Sequence, residues 1–202
     1  MPSSPKIQKE DILSTALDIL IREGYPAINI KRIAGELGCS TQPISWQFGG
    51  MDGFREALTD AAMDYVNRKI KPTAHNFVEA FEQTGEAYVD LAIDEPYLFR
   101  FICMGESGRQ VDGGLVSLLS HDRNRVVQQG LCNALHITPE QAENFMNTMV
   151  IYTHGIAALI AAGVVREDKA AAHAMIKDTG IRFLIALGLS SDEANSFFHS
   201  ET

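Results

Sequence analysis

Side chains able to act as nucleophile, base or metal ligand are scattered along the chain without the spacing that catalysis needs. No G-x-S-x-G, H-E-x-x-H, G-x-x-x-x-G-K-[ST] or G-x-G-x-x-G pattern occurs, and Gly105-Glu106-Ser107-Gly108 does not match a nucleophile elbow. Glu140 and Glu143 stand three apart on one helix face, but no histidine or carboxylate partners recur at di-metal bundle spacing. They read as a solvated surface. Cys39, Cys103 and Cys132 are odd in number and widely spaced, which supports neither a zinc site nor a disulfide framework. No enzyme, metal or cofactor is therefore expected. The segment Ser40-Thr41-Gln42-Pro43-Ile44-Ser45-Trp46-Gln47 does carry a chemical pattern. Thr41, Gln42, Ser45, Trp46 and Gln47 are hydrogen-bonding or aromatic, and none is acidic. Such side chains suit base edges in a major groove, where a carboxylate would repel phosphate.

Those side chains need a scaffold, and the apolar residues supply one at helical period. Ile12, Leu13, Ala16, Leu17, Ile19 and Leu20 mark a first helix, stopped by Gly24 with Pro26 beyond. Asn29 reads as the N-cap of a short helix carrying Ile33, Ala34 and Leu37 and closed by Gly38. Ser40 reads as the next N-cap, for a helix from Thr41 to Gln47 in which Pro43 is the third residue, where no intrahelical donor is lost. Ile30, Ile33, Ala34, Leu37, Cys39, Ile44 and Phe48 are expected to face Leu13, Leu17 and Leu20, leaving the polar set outward. A longer helix follows over 51–71, and further helices are expected at 74–94, 97–104, 113–135, 139–162 and 168–188, with a last turn at 191–199. Pro72, Pro96, Pro139, Gly188 and a Gly105–Gly114 loop, expected to be mobile, punctuate them. The fold class expected is all-α, with a helix-turn-helix domain at 1–50, a connecting helix at 51–71 and a second domain at 72–202.

Composition is that of an ordinary globular chain: 202 residues, 46% hydrophobic and 21% charged. The apolar stretch Met149–Val165 is interrupted by Thr153, His154, Gly155 and Gly163 and reads as a buried helix, not a membrane span. With no signal-like start and free thiols, a cytoplasmic location is expected. The net charge of −9 lies wholly beyond residue 71, since residues 1–71 balance nine Lys/Arg against nine Asp/Glu. A neutral head on an acidic body permits contact with DNA through the head.

The run Ile30-Lys31-Arg32-Ile33-Ala34-Gly35-Glu36-Leu37-Gly38-Cys39-Ser40, preceded by Ile12 to Gly24 and followed by Phe48-Gly49-Gly50-Met51-Asp52-Gly53-Phe54, resembles the TetR family of bacterial repressors over residues 7–58. The resemblance implies a homodimer on a palindromic double-stranded DNA operator. It further implies phosphate contacts from Asn29, Lys31 and Arg32. The segment opening at Ser40 would present Thr41, Gln42, Pro43, Ser45, Trp46 and Gln47 to the groove. The amide end of the fourth helix at Met51 would meet another phosphate. The chain departs from the family's usual Tyr at Ser45 or Trp46, its His at Gln47 and its Lys at Met51.

The resemblance also implies dimerisation through the 139–162 and 168–188 helices and a small-molecule effector in the C-terminal domain. Tyr152-Thr153-His154-Gly155-Ile156 resembles the Trp/Tyr-x-His-Gly signature of one TetR subgroup, and Pro96-Tyr97-Leu98-Phe99-Arg100-Phe101 does so more loosely. Tyr88, Phe101, Met104, Phe145, Met149, Tyr152 and His154 are the candidate lining of an effector pocket; each has core packing as its alternative, and His154 reads first as a satisfied structural group. The expected function is repression relieved by an effector that favours the non-DNA geometry. Two alternatives stay open: a TetR-like protein that has lost operator binding and acts through a protein partner, and a helical small-molecule carrier.

Overall fold

Local signals set where each helix begins. In a computed structural model that describes residues 7–74, 76–108 and 121–198, α1 spans Lys9–Glu23, and the Asp11 carboxylate accepts from the Gln8 backbone N–H at 3.1 Å. A single 3-10 turn, Tyr25–Ala27, leads to α2 (Ile30–Glu36), capped as expected by Asn29, whose side chain accepts from the Arg32 N–H at 3.0 Å. Next come α3 (Gln42–Gln47), α4 (Met51–Lys69), α5 (Phe77–Asp94), α6 (Pro96–Cys103), α7 (His121–Leu135), α8 (Pro139–Ala161), α9 (Lys169–Ala186) and α10 (Ser191–Phe197). Thr138 with Gln141, and Ser190 with Glu193, form reciprocal capping boxes at the starts of α8 and α10, while Asp168 caps α9. No strand occurs among the described residues. The expected 113–120 stretch and the 109–114 part of the expected loop lie outside them.

The chain divides into two compact units, Met1–Val66 with Glu95–Val111, and Asn67–Asp94 with Asp112–Thr202. In the first, α1 packs against α2, α3 and α6. Its buried stripe is Ile12, Ala16, Ile19 and Leu20, while Leu13 and Leu17, expected inward, are only half-buried. Residues 12, 16, 19 and 20 share one face at 100° per residue, and 13 and 17 fall one step round at its edge. Ile33 and Ala34 of α2, Ile44 of α3, and Phe48 and Phe54 complete the centre, with the two phenyl rings edge-on at 5.2 Å. At Gly24 the chain turns with φ +86°, and a Cβ there would stand 3.0 Å from the Tyr97 ring of α6. Glycine meets both demands.

In the second unit α8 is central, touching α5, α7 and α9, and α10 packs on α9. Phe145 of α8 is fully buried, its ring about equidistant from Phe81 (6.0 Å), Phe183 (6.2 Å) and Phe197 (6.2 Å). A ladder of charge joins α5 to α9. Glu82, Glu86, Asp90 and Asp94 recur every fourth residue on α5, opposite Lys169, His173 and Lys177 at the same spacing on α9.

Candidate nucleic-acid interface and effector cavity

The α2–α3 turn positions the candidate reading residues. Cys39 N–H bonds back to the Ala34 carbonyl at 2.9 Å, which closes α2 and aims the chain into α3. Helix α3 opens at Gln42 with Thr41 as its cap residue and Pro43 second, one residue later than the expected start at Thr41 under a Ser40 cap. The reason is that Thr41 itself provides the flanking residue and no side-chain cap bond is made. Ile44 is 2% exposed and Phe48 8%, anchoring one face, while Thr41, Gln42, Ser45 and Trp46 lie open and Trp46 is 81% exposed. Four of the expected groove-facing side chains are thus brought onto one solvent face. Gln47 is not among them: its amide donates to the Ile7 carbonyl at 2.9 Å, tying α3 to the head of α1.

The expected phosphate contacts divide similarly. Lys31 is exposed, and Asn29 is engaged in capping. Arg32 is clamped, with Nη2 2.6 Å from Glu23 and Nε 3.0 Å from Glu36, and those carboxylates raise its pKa. Glu36 also receives Arg22 at 3.2 Å. Ser40 is exposed, its carbonyl accepting from the Cys39 thiol. Met51 opens α4 with 44% exposure beside the exposed Asp52. Gly53 fixes the approach to that helix: a Cβ would fall 2.1 Å from the Phe48 carbonyl oxygen. Sequence reasoning missed the Arg22, Glu23, Arg32, Glu36 cluster because its members come from two helices.

The second unit holds a partly open cavity of about 230 Å³ between α5, α7, α8 and α9, with Phe198 also on its wall. Met149 lines it; the other six expected lining residues do not. Phe101 is buried in the first unit and stacks on Tyr25 at 5.1 Å, and Met104 is exposed there, because α6 packs on α1. Phe145 and Tyr88 are spent on the core, and Tyr152 is half-buried outside the cavity wall. His154 Nδ1 lies 2.9 Å from the Tyr88 hydroxyl, and burial lowers its pKa. The wall residues that sequence reasoning missed include Phe77, Phe81, Glu82, Glu86, His173 and Lys177. The matched fourth-residue charge spacing on two helices was the available signal.

On α8, Ile151 (62% exposed), Gly155 and Leu159 form an outward line at four-residue spacing, and a Cβ at Gly155 meets no atom within 4 Å. Ile185 of α9 is exposed as well. Among the described residues, no group of His, Cys, Asp and Glu is placed to hold a metal, and no helix is long and apolar enough to cross a membrane.

These elements define an all-α protein with an N-terminal helix-turn-helix domain followed by a helical C-terminal domain. No protein-family model matches the sequence. Over 104 residues, half of this chain, it is 24% identical to the HTH-type transcriptional regulator AlkX of Mycobacterium tuberculosis, and it spans about half (49%) of that relative's length. Three crystal structures share the fold. A TetR-family transcriptional regulator from Streptomyces coelicolor aligns with TM-score 0.63 and 16% identity, over 96% of this chain and 89% of that one. A TetR-like transcriptional regulator from Rhodococcus sp. RHA1 aligns at 0.55 and 14%, over 92% and 98%. A TetR variant from Acinetobacter baumannii AYE, solved in complex with minocycline, aligns at 0.55 and 14%, over 90% and 96%. The chain's fold is that of these three TetR-type structures.

Proposed function

We propose that the chain is a dimeric DNA-binding transcriptional regulator, a repressor that a small molecule releases from a palindromic operator. The reader is residues 1–50, joined by 51–71 to an effector and dimerisation domain at 72–202. The observation that carries this reading is the open face of α3, where Thr41, Gln42, Ser45 and Trp46 stand exposed and free of acids over a buried Ile44. In this reading those four side chains enter the groove, with Pro43 stiffening the first turn. Lys31, Asn29, Ser40 and the start of α4 at Met51 lie against phosphates. The exposed Ile151 and Leu159 on α8 with the half-buried Gly155 between them, and Ile185 on α9, support a partner helix packed against them, and two-fold symmetry would match two half-sites. The cavity in the second unit supports an effector, as does the minocycline held by the Acinetobacter TetR variant. An effector that binds the non-DNA geometry better than the DNA geometry shifts the population off the operator.

One observation favours a second reading, a TetR-like protein that has lost operator binding and acts through a protein partner. Arg32 is neutralised by Glu23 and Glu36, and Met51 and Asp52 stand at the head of α4. Binding of the purified protein to DNA flanking its own gene, across a salt series, separates the two. Saturable binding to one palindrome, weakening steeply with salt, is the outcome expected of the regulator. The absence of specific binding at low salt would sink it.

A further inference from the structure

We propose that the cavity of the second unit takes a compact apolar molecule bearing a cationic amine, with Glu86 as its counter-ion. The regulatory meaning of such a ligand rests on the effector reading above; its binding does not. The volume of about 230 Å³ lies below the roughly 300–1,000 Å³ of drug-sized sites, which limits the ligand to a small body. Phe77, Phe81, Met149, Ile176 and Phe198 make most of that wall apolar.

The charged groups on the wall are Glu82, Glu86, His173 and Lys177, and they are not equally committed. Lys177 pairs with Glu82 at 3.6 Å and donates to the Phe198 carbonyl. His173 Nε2 lies 2.8 Å from Asp90, and Lys169 serves both Asp90 (3.2 Å) and Asp94 (2.7 Å). Glu86 shares its nearest cations, His173 and Lys177, with Asp90 and Glu82, which hold them at 2.8 and 3.6 Å. Its sole ion-pair contact among the described residues is His173 Nδ1 at 3.7 Å, beyond hydrogen-bond reach. Burial, the largest influence on Glu86, pushes its pKa up, and the nearby Glu82 and Asp90 add to this, while His173 and Lys177 offset only part of it. The ladder as a whole sets four carboxylates against two lysines and a histidine, so an anion entering here meets excess negative charge.

Glu86 also stands at a boundary. It, His173 and Pro72 line both the apolar cavity and a neighbouring polar recess with Lys71, Gln83 and Asp90. A ligand whose apolar body fills the cavity therefore brings its polar end to the Glu86 carboxylate. The Phe77, Phe81 and Phe198 rings on the same wall favour a cation over a neutral group.

Calorimetry on the purified full-length protein, free of DNA, with phenylethylamine, phenylethanol and phenylpropanoate tests this directly. The amine should bind about tenfold tighter than the alcohol, with the carboxylate weakest. Glu86→Gln, which keeps the shape, should remove the preference for the amine. Equal binding of all three, tighter binding of the carboxylate, no binding of any at millimolar concentration, or an unchanged preference in a folded Gln variant would each overturn the proposal. The ranking on wild-type protein needs no variant. A parallel operator-release assay addresses the regulator alone: amine binding without release upholds the site and removes the effector role.

Discussion

Truncating the two faces of α3 one at a time should separate stability from recognition. Ile44 is 2% exposed, so Ile44→Ala leaves a cavity in the head and should cost about 2–5 kcal/mol. At about 2–4 °C per kcal/mol for a chain of this length, Tm should fall by about 5–20 °C. Trp46 is 81% exposed two residues later. About a fifth of its roughly 250 Å² is covered, some ~50 Å², which at ~25 cal/mol/Å² amounts to about 1 kcal/mol at most. Trp46→Ala should therefore shift Tm by only a few degrees, yet weaken operator binding by about 1–3 kcal/mol per half-site, or about 5- to 150-fold. Trp46 is the chain's one tryptophan, so its emission is a built-in reporter. The free protein should fluoresce as a solvated indole, change little on unfolding, and respond when DNA is added. Differential scanning calorimetry and anisotropy with a labelled operator fragment give the two readouts. Destabilisation by Trp46→Ala equal to that by Ile44→Ala would show α3 facing the other way. Wild-type affinity in the Trp46→Ala protein, with emission indifferent to DNA, would refute the reader assignment.

Truncation along α1 should follow the buried stripe: Ile19→Ala, at a fully buried site, should cost about 2–5 kcal/mol in thermal unfolding, and Leu17→Ala, half-buried, distinctly less. Gly155→Leu should leave the monomer's melting intact, since a Cβ there meets open space, but shift sedimentation toward monomer if α8 forms the dimer face. Glu23→Gln combined with Glu36→Gln, which removes both carboxylates that hold Arg32, should free it for phosphate and tighten operator binding, steepening the log–log salt dependence by about one per protomer; an unchanged slope would mean Arg32 stays off the DNA. His154 has its pKa lowered by burial, so the unfolded chain takes up its proton first as pH falls. The stability it contributes is full above its ordinary value of 6.5 and is lost as pH drops below that, and the His154→Gln protein should show a flatter melting profile over about pH 5.5–7.5.

Much of the head was legible because its signals are local. Asn29 caps α2 and Gly24 stops α1, as their types and positions indicated, since a cap or a positive-φ turn involves only a few consecutive residues. Of the outward set expected from helical period, Thr41, Gln42, Ser45, Trp46 and Gln47, the first four are exposed, while Gln47 turns back to the Ile7 carbonyl. The same period left the choice between Ile12 or Ile19 and Leu13 or Leu17 open by one residue, because adjacent apolar positions on α1 differ by 100° and only the packed neighbours choose between them.

What tertiary structure alone decided are the pairings between residues far apart in the chain. Arg32 reaches back nine residues to Glu23, Gln47 forty residues to Ile7, and His173 eighty-three residues to Asp90. Phe101 left the expected pocket for the first unit because α6 packs on α1, a contact no local pattern specifies. The cavity arises only where α5, α7, α8 and α9 meet, and α5 and α9 bring Glu86 and His173 together on its wall. Sequence by itself determined which residues form helices and which face is polar, through caps and period acting over single turns. The choice of neighbour for each face, and with it the location of the cavity and the charged groups on its wall, came from packing, where burial and electrostatics act across space and not along the chain.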